Sequence, residues 1–153
     1  MVEFNDSHND LTVRIEDGVM QTIQQKSLAS YPNETGGFLV GKYDSNKIAY
    51  VSLLIEPTQK HGTPCSYQRS TKGMKKIWDR LFSQGYIYLG EWHSHPNGSC
   101  MYSQTDFQSI ESIANSEEVH ITHPLMLIVS VNKDKLSSYQ LYHYCEGHLI
   151  TFE

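Results

Sequence analysis

Two histidines two residues apart, His93 and His95, followed at short range by Ser103 and Asp106, define the chemistry this sequence could perform. Side chains on a strand alternate faces, so His93 and His95, at the end of the apolar segment 86–89, aim two imidazoles at one point. Pro96 ends the strand ladder, and Asn97-Gly98 is turn chemistry. Ser103 and Asp106 stand three apart at the start of a helical run, so both can face the same point. Two histidines and one carboxylate make a ligand set for a catalytic zinc whose fourth position is left to water. Each piece also has a plainer reading. A histidine pair recurs by chance, and Ser-x-x-Asp before an apolar run is close to a capping box that satisfies free helix amides. The order strand, His-x-His-Pro, glycine turn, Ser-x-x-Asp, with a second acidic element upstream, favours the chemical reading.

That upstream element is Glu34-Thr35-Gly36-Gly37-Phe38-Leu39-Val40-Gly41, in which glycines permit close backbone approach and Phe38-Leu39-Val40 begins a strand. Glu34 therefore sits at an element boundary, where its side chain can reach into a cleft; taken alone it would read as a solvated loop carboxylate. Glu34 with Gly37, Leu39 and Gly41, then His93-x-His95-Pro96 and Ser103-x-x-Asp106, with the seven residues Pro96 to Tyr102 between His95 and Ser103, resembles the JAMM (MPN+, JAB) metalloprotease family at every motif position. The resemblance implies zinc held by His93, His95 and Asp106, with Glu34 as the general base for water. It also implies Ser103 as the hydroxyl that stabilises the tetrahedral oxyanion. It further implies a cytidine-deaminase-like α/β/α layering over residues 1–153 as one JAMM/MPN domain. By size the chain is similar to small stand-alone bacterial JAB proteins, including the deconjugating peptidases of CBASS-type anti-phage operons. The implied substrate is then a ubiquitin-like protein, or a protein conjugated by an E1/E2-like system, cut after a C-terminal glycine whose extended tail adds to a sheet edge. Two other readings stay open: a peptidase trimming a sulfur-carrier protein or small amino-acid conjugate, and a non-catalytic MPN scaffold.

The chain has 153 residues, 39% hydrophobic and 19% charged, which suits one globular domain with a substantial core. A net charge of −5 argues against nucleic acid as partner. No apolar run approaches the ~18 residues of a membrane span, and nothing resembles a signal peptide. Cys65, Cys100 and Cys145 are odd in number and widely spaced, which argues against a disulfide framework and for a reducing cytoplasm.

The elements that must position the site follow from periodicity. Residues 1–10 read as an extended or loose start, and Leu11-Thr12-Val13-Arg14-Ile15 alternates as a half-buried strand. Asp17 is placed to cap a helix that carries Val19 and Ile23 inward and stops at Tyr31-Pro32. Strands over 37–42 and 48–55 pair as a hairpin. Residues 56–69, with two prolines and neither period, read as a long surface loop that could wall the site, as could the turn over 97–102. A lone His61 there reads as solvated. Met74, Ile77, Trp78, Leu81 and Phe82 recur at helical spacing before Gly85, and Phe107, Ile110 and Ile113 do so after Ser103. Residues 125–131 are uniformly apolar, as in a strand covered on both faces, and Leu136 onward reads as a closing hairpin about Glu146-Gly147. Interleaved helices and strands with a fully covered strand fit an α/β fold, a central mixed sheet with helices on both sides.

Overall fold

The computed structural model describes residues 1–116, 121 and 123–153. Thirteen elements run in the order β1 (Val2–Asp6), β2 (Leu11–Ile15), α1 (Asp17–Ser30), β3 (Gly36–Tyr43), β4 (Ala49–Ile55), β5 (Gln59–Thr63), β6 (Ser66–Ser70), α2 (Lys75–Ser83), β7 (Ile87–Pro96), α3 (Gln104–Ala114), β8 (Leu125–Val131), β9 (Leu136–Cys145) and β10 (His148–Thr151). Eight of the strands form one sheet, ordered β1-β2-β4-β3-β7-β8-β9-β10. The pairs β2·β4 and β7·β8 are parallel and the rest antiparallel, so the sheet is mixed, as expected.

β8 shows why the layers form. All seven of its residues are buried. Leu125, Leu127, Val129 and Val131 pack in one cluster with Val19 and Ile23 of α1, whereas Met126 and Ile128 pack with Ile110 of α3. One strand with two apolar faces thus requires a helix on each side. The α2 helix joins α3's side: Trp78 sits edge-on to Phe38 and Tyr88, whose strand neighbours Leu39 and Leu89 face α1.

Three local expectations need correction. The first residues form β1, fully paired with β2, in which Phe4 and Asp6 are buried. The α1 helix takes Glu16 at its N-cap with no side-chain hydrogen bond, so Asp17 is its first residue rather than its cap. Residues 56–69 contain not a loop but the hairpin β5–β6, with five rungs from Gln59↔Ser70 to Thr63↔Ser66, forming a second, two-stranded sheet. Its residues are exposed or half-buried on both faces, so no hydrophobic alternation marks them, and backbone pairing alone defines the strands.

Asp6 is buried because it is bonded on every side. Its carboxylate accepts the backbone N–H of His8 (3.1 Å) and Asn9 (3.3 Å) and the Asn9 side-chain amide (2.7 Å). It also lies 2.7 Å from Nε2 of the fully buried His143. Burial pushes the Asp6 carboxyl up, but the bonds from Asn9 and His143 outweigh it and hold the group at about 2. Burial depresses His143, partly offset by Asp6. A neutral imidazole donating from Nε2 to an ionised carboxylate accounts for both directions. Each group is less basic folded than unfolded, so the unfolded chain binds more protons and stability falls as pH falls. The His143 contribution declines below its ordinary 6.5. The Asp6 contribution is complete above 3.8 and lost towards about 2. Asp6→Asn should destabilise by about 1–3 kcal/mol at neutral pH and flatten the acid limb of a plot of Tm against pH. A variant that melts in parallel with the wild type at every pH contradicts this.

Candidate metal centre

The strand that presents the two histidines does so through an irregularity. Between β3 and β7, Leu39 pairs with Gly90 but Val40 pairs with Tyr88, so Leu89 is a bulged extra residue. Beyond it Trp92 and Ser94 turn into the layer shared with α1, both at most 1% exposed, while Glu91, His93 and His95 face α3. The parity read from the sequence is therefore realised: His93 Nε2 and His95 Nε2 lie 3.1 Å apart.

Asp106 completes the arrangement from the first turn of α3. Its carboxylate turns Oδ1 to His93 Nε2 (3.2 Å) and Oδ2 to His95 Nε2 (3.3 Å). Ser103 and Asp106 form a reciprocal capping box: Ser103 N–H donates to Asp106 Oδ2 (2.8 Å), and Asp106 N–H donates to Ser103 Oγ (3.1 Å). The capping role and the placing of a carboxylate at the site are thus the same contact. On the far side of His95, Nδ1 lies 2.8 Å from the Ser99 carbonyl, so Nδ1 carries the proton and Nε2 is free to offer its lone pair to the site.

Glu34 arrives from the stretch between α1 and β3. Thr35 N–H donates to Ser94 Oγ (3.0 Å) and Ser94 N–H to the Thr35 carbonyl (2.8 Å), which stitches this stretch to β7 between the two histidines. The next residue must be glycine: a Cβ on Gly36 would lie 2.3 Å from the Trp92 carbonyl and 2.9 Å from the Tyr67 ring. Glu34 is 8% exposed, with Oε1 4.0 Å from His95 Nε2. Glu34, His93 and His95 each place one donor atom within 4.8 Å of the others. Burial raises the Glu34 carboxyl above its usual range, His93 and His95 pull it back, and Asp106 adds to the rise. Burial also pushes Asp106 up, but the hydrogen bonds to His93 and His95 outweigh this and leave it far below the ordinary carboxylate range. Burial opposes protonation of His95, yet Asp106 and the Ser99 carbonyl leave it raised.

All five residues singled out in the sequence, Glu34, His93, His95, Ser103 and Asp106, thus come together. The sequence did not reveal the partners that hold them: Ser94, the Ser99 carbonyl, and Tyr67, whose ring lies parallel to His93 at 6.5 Å between centroids. Tyr67 belongs to β6, in the segment that carried no period. Arg69, also on β6, grips Glu91 with two bonds of 2.7 Å, two residues before His93. A cleft of about 330 Å³ opens on the Glu34, His95 and Ser103 side, and a second of about 370 Å³ opens past His93 and Arg69; Tyr67, Thr105 and Asp106 line both. The meeting point of the imidazoles is therefore approached from two sides.

The donor set fits a metal ion. Two imidazole nitrogens and a carboxylate 3.1–3.3 Å apart have the spacing of neighbouring ligands in a tetrahedron, where donors ~2.0 Å from zinc are ~3.3 Å from each other. The family model for prokaryotic homologues of the JAB domain matches residues 16–142. The chain belongs to this family. Among curated proteins, this JAB-domain chain is 32% identical over 132 residues to the CD-NTase/cGAS isopeptidase of Enterobacter hormaechei subsp. hoffmannii, covering 85% of this chain and 72% of the relative. Its fold is similar to that of a JAB1/MPN domain protein from Archaeoglobus fulgidus, with TM-score 0.54 at 20% identity over 90% of this chain and 93% of the other. It is also similar to a protein from Desulfitobacterium hafniense, with TM-score 0.66 at 15% identity over 91% and 88%. The mixed sheet with flanking helices is thus the JAB/MPN fold that the motif implied.

Proposed function

We propose that this JAB-domain chain, residues 1–153 acting as one unit, is a zinc-dependent isopeptidase. It hydrolyses the amide bond after the C-terminal glycine of a ubiquitin-like protein, or of a protein attached by an E1/E2-like system. The observation that carries the reading is the convergence of His93, His95 and Asp106 at 3.1–3.3 Å beside the buried carboxylate of Glu34. The Enterobacter relative, named a CD-NTase/cGAS isopeptidase, supports an isopeptidase with a CD-NTase-type protein as the conjugated partner; the resemblance to deconjugating peptidases of CBASS-type operons adds anti-phage defence as the setting. Cytoplasmic action suits such a conjugate; no helix among the described residues is long and apolar enough to cross a membrane.

His93, His95 and Asp106 would hold the ion, because Glu34, at 4.0 Å from His95, stands off beyond the ligand spacing. Bound there, zinc supplies a Lewis acid and a water acidic enough to lose its proton near neutrality. The chain does the rest. Glu34 accepts the proton of the attacking water and returns one to the leaving amine; its burial suits it to both, since a raised carboxyl holds a proton better than a solvated one. Ser103 keeps its hydroxyl proton free, because Oγ accepts from Asp106 N–H, and that proton is offered to the carbonyl oxygen as charge gathers there. Ser99 and the Ser103 amide keep His95 and Asp106 oriented. The two clefts flanking this point take the tail on one side and the leaving lysine or amine on the other.

The test is a panel of ubiquitin-like and nucleotidyltransferase-type proteins, each fused through its C-terminal glycine to a reporter amide. The protein should release reporter from at least one fusion, lose this with a chelator and regain it with zinc. Purified protein that neither holds stoichiometric zinc nor cleaves any fusion would overturn the reading in favour of a scaffold.

A further inference from the structure

Glu34 lies outside the regular pairing of the main sheet, since β3 starts two residues later at Gly36. Its amide is instead taken by the second sheet: Glu34 N–H donates to the Thr63 carbonyl at 2.9 Å. The neighbouring Gly62 lies so close that a Cβ there would be 1.8 Å from the Glu34 carbonyl oxygen. The same hairpin reaches the next two residues, with Lys60 Nζ 3.2 Å from Thr35 Oγ1 and Tyr67 covering Gly36. On the other flank Ser94 holds Thr35 to β7. The base is thus strung between two supports. One is the strand that carries both histidines, and the other is a hairpin, β5–β6, that belongs to no other sheet.

We propose that Gly62 and Thr63 are positioning residues that set the place of the Glu34 carboxylate, making hairpin β5–β6 part of the catalytic apparatus rather than a wall beside it. This rests on the reading of Glu34 as the base given above. The physical reason is geometric tolerance. A general base must lie within hydrogen-bond reach of the proton it takes, and misplacement by ~1 Å costs on the order of 100-fold in rate. At Gly62 the obstructing atom is backbone, which cannot rotate away, so any side chain there moves Glu34 or the hairpin by more than about 1 Å. His93, His95 and Asp106 lie on β7 and α3 rather than on the hairpin, whose Tyr67 ring faces His93 at 6.5 Å between centroids, so zinc content read beside kcat separates displacement of the base from displacement of the ligands.

Gly62→Ala, loaded with zinc, should lose roughly 10- to 100-fold in kcat on a cleavable fusion, hold KM within about threefold, and retain stoichiometric zinc. A second reading needs no activity. In the unaltered protein, amide exchange followed by NMR should show the Glu34 amide protected by at least ~100-fold, and Gly62→Ala should lose that protection while Thr35, bonded to Ser94, keeps its own. Should Gly62→Ala not fold, Lys60→Met removes the hairpin's side-chain anchor without a clash; it should weaken Glu34 protection and lower kcat roughly 3- to 10-fold at unchanged KM. An unprotected Glu34 amide in the wild type overturns the proposal, as does full kcat in whichever variant folds. Glu34→Gln run alongside separates the two failures: if it is inactive and the hairpin variant is not, positioning by the hairpin is wrong; if it too is fully active, the role given to Glu34 is wrong.

Discussion

Glu34→Gln should keep its zinc and its fold and lose at least ~100-fold in kcat, the scale of removing a general base. The substitution is nearly isosteric, and the amide can still occupy the pocket beside His95. The backbone bond from Glu34 N–H to Thr63 is untouched, so the change is confined to one proton-accepting oxygen. KM should stay close to wild type, because the interaction lost is one made as the proton moves rather than when substrate docks. The buried carboxylate also costs something to ionise, so replacing it with a neutral amide should leave Tm unchanged or higher. The measurement is kcat and KM on the best fusion substrate, with zinc content by elemental analysis and Tm from a melt. Turnover within tenfold of wild type at full zinc occupancy would remove Glu34 from the mechanism.

Asp106 variants should separate two duties that one side chain performs. The carboxylate lies between two imidazoles and also accepts the Ser103 amide at the start of α3. Asp106→Ala deletes the proposed third ligand and half of the capping box. Zinc should no longer be retained through dialysis, and activity should fall below detection, on the order of 1,000-fold or more. The metal-free protein should also lose about 1 kcal/mol of stability from the cap. Asp106→Asn restores an acceptor for the Ser103 amide, so it should recover most of that stability while still binding zinc poorly, because a neutral amide is a weak zinc donor. The decisive comparison is therefore metal-free melts of the three proteins beside their zinc contents. If Asp106→Asn holds zinc as tightly as wild type, Asp106 is not the third ligand, and Glu34, whose carboxylate also lies within reach of both histidines, takes that place.

Much of this was legible in the residues themselves, for physical reasons that differ from element to element. β8 could be read because both its faces are dry, so its composition is uniformly apolar. His93 and His95 could be read as a pair because strand parity is local and survives any fold around it. Asp106 could be read because a capping box is a contact between residues three apart. Hairpin β5–β6 could not, since its strands are held by backbone bonds and half-exposed polar side chains that carry no period. β1 was obscured by Asp6, which is buried through bonds to Asn9 and to His143, the latter 137 positions away. The bulge at Leu89 left no trace either, because what makes it a bulge is its mismatch with Val40 and Leu39 on a different strand.

That bulge has a design consequence. A strand obliged to feed the interior at one end and do chemistry at the other would normally have a single odd–even rhythm for both tasks. One surplus residue at Leu89 decouples them: Tyr88 is free to join the aromatic group under α2, while everything beyond is turned over by half a step, so that Trp92 goes inward and the imidazoles outward. Deleting that one residue would leave Val40 opposite Tyr88 and Leu39 opposite Gly90 as adjacent rungs and both faces as they are; it is an unbulged strand of the same length that would swap the tenants of its two faces, burying both imidazoles in hydrocarbon and lifting an indole into the cleft.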